Sequence, residues 1–115
     1  MSISPEIKNL INRLEQELQE IESDVREGLN IIQPIFSSFP NNVLLTQFFA
    51  SLSNHLLYVE ISRNRIQIIV NRFLSINVTP NEIMETGEDL SMELGRAIEA
   101  KISVRQIINR LKELS

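Results

Sequence analysis

VLLTQFFASLSNHLLYVEI, residues 43–61, is the stretch on which the fold turns. Glu60 is its only charged side chain at neutral pH. A helix that spans a bilayer needs about 20 predominantly apolar residues. Thr46, Gln47, Ser51, Ser53, Asn54 and His55 interrupt this run. Each polar group carried into hydrocarbon would lose its water without a partner. On a helix packed inside a protein the same groups are tolerable. The stretch therefore reads as the front of a central helix in an all-α protein, and no membrane association is expected. Leu45, Leu52, Val59, Ile66 and Phe73 recur seven apart, and Phe48, Phe49, Leu56, Ile69 and Val70 widen the stripe. A seven-residue apolar period is what helices show when they pack along a seam. With Asn41 or Asn42 as its cap, this helix is expected over about 42–75.

On the N-terminal side, Ser4-Pro5 opens another helix. The serine oxygen can accept from a free backbone N–H, and proline lacks only an N–H that would be unpaired there. Ile7, Ile11, Leu14, Leu18, Ile21 and Val25 then alternate four and three apart; Gly28 interrupts the seam and Ile32 resumes it. Pro34 is expected to end or kink this helix, giving bounds of about 5–36. The segment from Ile35 to Asn42 reads as a turn. On the C-terminal side, Thr79-Pro80-Asn81-Glu82 combines a capping box with proline at the first helical position. Ile83, Leu90, Ala97, Val104 and Leu111 follow seven apart, so a helix is expected over about 80–114. Strand signals are lacking: no alternation is sustained, and neither Asn-Gly nor Asp-Gly occurs. The fold expected is one domain, 1–115, an elongated antiparallel three-helix bundle with helices of about 45 Å. The alternative is a four-helix bundle, because Ser103-Val104-Arg105-Gln106 resembles a second capping box.

Composition narrows the function. The net charge of −4 disfavours broad nucleic-acid binding and adhesion to anionic lipid. Cysteine is absent, so no disulfide or thiolate metal site is possible, and a reducing cytoplasm is the expected compartment. The first residues show neither the basic nor the apolar part of a signal peptide. No phosphate-binding glycine loop, nucleophile elbow or EF-hand loop occurs. The Glu-x-x-His of di-iron bundles is also missing, since Leu52 stands three before His55. No catalytic residue, cofactor, metal or small-molecule substrate is expected.

Some residues stand out against this background. His55, Ser62 and Arg63 put a polar notch in the apolar stripe of the second helix. Histidine phosphotransfer domains are helical bundles of this size, with a lysine and a glycine soon after the histidine; Leu56-Leu57-Tyr58-Val59 follows here, and the pattern fails. Arg63, Arg65 and Arg72, or the basic C-terminal segment, could contact nucleic acid, which makes that a rival reading. Gly87, Ser91 and Gly95 share one helical face and suit close helix packing. Glu15, Glu17, Glu22 and Asp24 flank the first seam on both sides. Two such helices paired in parallel would repel. Lys101, Arg105, Arg110 and Lys112 offer the basic complement within the same chain. The acids at the front of the third helix, Glu82, Glu85, Glu88, Asp89 and Glu93, read as a solvated face.

The second helix is too apolar for a single buried face. Ile35, Phe36, Phe39, Leu44, Phe48 and Phe49 cluster about the first turn and form the expected interface. The function expected is a non-enzymatic interaction module, a regulatory or adaptor subunit that pairs with itself as a homodimer or with another protein.

Overall fold

The computed structural model describes residues 4–73 and 78–114. Its elements are α1 (Pro5–Ser38), α2 (Val43–Phe73) and α3 (Pro80–Leu114). They form the elongated three-helix bundle that the seams imply, 57 × 18 × 17 Å along its principal axes. Each start has the cap its sequence announces. The Ile7 N–H donates to Ser4 Oγ at 3.3 Å, the Leu45 N–H to Asn42 Oδ1 at 3.0 Å, and the Glu82 N–H to Thr79 Oγ1 at 3.2 Å. No helix among the described residues is long and apolar enough to cross a membrane.

Two boundaries differ from expectation. α1 does not stop at Pro34 but continues to Ser38. Proline removes one helical donor, to the Asn30 carbonyl, and both residues are exposed, so water can serve that carbonyl. Ile32, fully buried, and Ile35, half-buried, anchor the two sides of the proline on the core. The end is closed by the Phe39 N–H, which donates to Ile35 O at 3.0 Å and Phe36 O at 3.2 Å. The break considered at Ser103 does not occur: α3 is continuous, because Ala97, Val104 and Leu111 stay on one buried face through it. Ser75, the expected end of α2, lies outside the described residues.

α1 carries the core. Leu14, Leu18, Ile21, Val25 and Ile32 of its seam are fully buried, against Leu52 and Val59 of α2 and Ala97, Val104 and Leu111 of α3. α1 packs most extensively on α3, which runs parallel to it, then on antiparallel α2; the α2–α3 contact is the sparsest. Of the three glycines, Gly28 is the most closely packed. A Cβ there would lie 3.1 and 3.2 Å from two Leu52 methyl carbons and 3.3 Å from Ile108 Cγ1. The gap in the α1 seam is thus filled by side chains from both other helices.

The charge layout resolves within the chain. Lys101 Nζ lies 2.6 Å from Glu17 Oε2 and 3.1 Å from Glu20 Oε2, Arg105 Nε lies 2.8 Å from Asp24, and Lys112 Nζ lies 3.2 Å from Glu27. Glu17, then Glu20, hold the Lys101 ammonium above the ordinary lysine value, and Asp24 does the same for the Arg105 guanidinium. Between parallel neighbours such a ladder fixes axial register more than it stabilises.

Candidate functional site

α2 and α3 meet sparsely: one pocket between them is lined by Ile66, Ile69 and Leu90, another by His55, Tyr58 and Ala100, and one acid bridges the two helices. Glu93 stands three after Leu90 in the α3 seam, so it points inward and is 8% exposed. Its Oε1 accepts from Ser62 Oγ at 3.0 Å and from the Tyr58 hydroxyl at 3.2 Å. Its Oε2 lies 3.4 Å from both Arg65 Nη1 and Arg96 Nη1. Burial, then the Glu93 charge and its hydrogen bond, push the Tyr58 hydroxyl up to about 12. This corrects the expectation that Glu93 belongs to a solvated face. Both carboxylate oxygens have donors, three from α2 and one from α3, so the cluster ties the two helices together.

The polar notch does not converge. His55 is half-buried, and its Nδ1–H donates to the Ser51 carbonyl at 2.7 Å within α2. Ser62 turns toward α3 and Glu93. Arg63 turns the other way and pairs with Glu22 of α1, with Gln19 Oε1 at 3.4 Å. One helix carries all three, but they face different neighbours. Two of the three α2 arginines considered for phosphate are engaged inside the chain: Arg63 by Glu22 and Arg65 by Glu93.

The small-residue stripe is not a close-packing face within this chain. A Cβ on Gly95 would meet nothing within 4 Å, and one on Gly87 would meet only Ile7 Cδ1, at an ordinary 3.5 Å. Gly87 and Ser91 instead floor an open groove of about 760 Å³ between the starts of α1 and α3, beside exposed Met84 and Met92.

The six residues of the expected interface separate. Phe48 is in the core, 9% exposed, with the Arg110 guanidinium 5.6 Å above its ring, so it is corrected from surface to interior. Ile35, Phe36 and Leu44 are half-buried. Phe39 and Phe49 are exposed, and Phe49 meets Phe36 edge to face with ring centres 5.9 Å apart. Sequence reasoning did not single out Leu57, Ile61 and Ile68, which are also exposed and lie along the outside of α2. Their signal was available: each is offset from the core heptad of its own helix.

Among the described residues no group of three or more histidine, aspartate or glutamate side chains is placed to hold a metal ion. The chain matches no family model, and no curated protein or solved structure matches it.

Proposed function

We propose that this protein is a non-enzymatic interaction module of the cytoplasm, a regulatory or adaptor subunit that works by docking on polypeptide. The observation that carries this reading is the apolar surface left outside a core that is already complete. Phe39, Val43 and Phe49 gather at the first turn, and Leu57, Ile61 and Ile68 continue along α2, while the seams of all three helices are filled. A helix that folded only for its own bundle would carry charge on that side, since exposed apolar area gains nothing in water. Supporting it further, the acid and arginine groups with the best claim to chemistry are matched to one another inside the bundle.

The test is capture from the native source with the wild type and with Phe39→Ser/Phe49→Glu. Both sites are exposed, so helicity by circular dichroism should not change. Specific capture by the wild type, lost in the variant, is the expected result. Recovery that is the same for both proteins overturns the reading at this end of the molecule.

A further inference from the structure

We infer that a second copy of this chain docks along the outer face of α2, parallel and in register; this rests on the docking reading above and gives it a partner. Val43, Gln47, Ala50, Asn54, Leu57, Ile61, Asn64 and Ile68 alternate four and three apart. This is the spacing of a coiled-coil seam. At 100° per residue it lies opposite the core seam of Leu45, Leu52, Val59, Ile66 and Phe73. All eight residues are exposed, and none carries a charge. The corresponding face of α1, opposite its own core seam, is polar throughout: Asn9, Arg13, Gln16, Glu20, Ser23 and Glu27. α2 thus has two seams, and the bundle uses one.

The outer seam also states what it fits. It extends for about 38 Å at 1.5 Å per residue. In a parallel pair, each position meets its own equivalent. The amides of Gln47, Asn54 and Asn64 then oppose amides, each with both donor and acceptor, while Leu57, Ile61 and Ile68 oppose themselves. A slip of one heptad would set Asn54 against Ile61 and Leu57 against Asn64, burying amides without partners. The amides therefore select register. The flanks select direction. Glu60 and Arg65 border the seam on opposite sides, five residues apart. A parallel second copy brings its Arg65 to Glu60 and its Glu60 to Arg65, two symmetric ion pairs. An antiparallel copy over the same span would set Asn54 against Leu57, and would leave Glu60 beside Ser53 and Arg65 beside Leu44. Arg65 can turn outward without stranding Glu93, because Arg96 reaches the same oxygen at the same 3.4 Å. The acid-flanked seam of α1 has no such complement in a second copy.

The absence of cysteine makes the test direct. Ala50→Cys and Asn64→Cys, prepared singly, should each form a disulfide dimer under mild oxidation, because parallel in-register pairing places each position against itself. Antiparallel pairing over this span sets position 50 against 61 and position 64 against 47, so neither variant would couple. In sedimentation equilibrium, Ile61→Asp should weaken association by at least about tenfold, since the seam would bury a carboxylate without a partner. Met92→Asp, on α3, should leave association unchanged, and circular dichroism should show both variants folded. A wild type that stays monomeric at millimolar concentration overturns the inference. If Phe39- and Phe49-dependent capture survives in that case, docking stands and only the second copy falls. A dimer indifferent to Ile61→Asp, or one that couples at neither cysteine, also overturns it, while leaving self-association intact.

Discussion

Glu93 concentrates the residue-scale lesson. A buried carboxylate is tolerable because four donors from two helices surround it, with Arg65 and Arg96 sharing one oxygen and Tyr58 and Ser62 the other. The chain has one tyrosine and no tryptophan, so phenolate absorbance reports Tyr58 alone. Its titration in the folded protein should centre near 12, against 10.0 for a free tyrosine. In Glu93→Gln the midpoint should fall part-way toward 10, because the charge and its hydrogen bond go while burial stays. A wild-type midpoint near 10 would contradict the cluster. The sign for stability follows from the upward shift. The unfolded chain ionises first, so the neutral hydroxyl favours the fold fully below about pH 10, and that contribution is lost as pH rises toward 12. Solvent reaches Tyr58 in part, which keeps the loss to about 1–2 kcal/mol. Ser62 was legible in the sequence as a polar break in an apolar stripe. Glu93 was not, because its partners on α2 lie 28 to 35 residues away and its charge merges with the acids ahead of it in α3.

At the scale of the element, what was legible is what is decided locally. The three N-caps depend on side chains three residues from the N–H they satisfy, and all three stand where their sequences place them. The seams depend on period alone. That the helix does not end at Pro34 depends on the surroundings: an exposed proline leaves one carbonyl to water, and anchored isoleucines on either side let the helix run on. The glycines differ in the same way, and substitution separates them. Gly95→Ala should raise stability by up to about 1 kcal/mol, since its Cβ enters open space and helix propensity improves. Gly28→Val should lower it by about 1–3 kcal/mol, because Leu52 and Ile108 already occupy the room its methyl groups need. Urea denaturation of both variants tests the pair. Stabilisation in both would mean that the core yields at Gly28.

For the whole molecule, the sequence showed that acids of α1 have basic partners near the C-terminus, but not that the two helices most remote in the chain form the largest contact. Which faces meet is settled by three helices packing at once, and a heptad period alone does not order them. A fragment of α2 and α3 without α1 should be largely unfolded by circular dichroism, since the two helices share little surface; a cooperative helical melt of that fragment would contradict the packing described. The parallel pairing of α1 with α3 has a consequence for biosynthesis. Each ion pair of the ladder joins residues some eighty positions apart, so α1 leaves the ribosome long before its main partner exists. Vectorial folding from the N-terminus is therefore closed to this chain, and a nascent α1–α2 hairpin must wait with the α3-facing side of its core uncovered until α3 emerges. That interval is when a chaperone, or the α2 of a neighbouring nascent chain, has its clearest opportunity to bind.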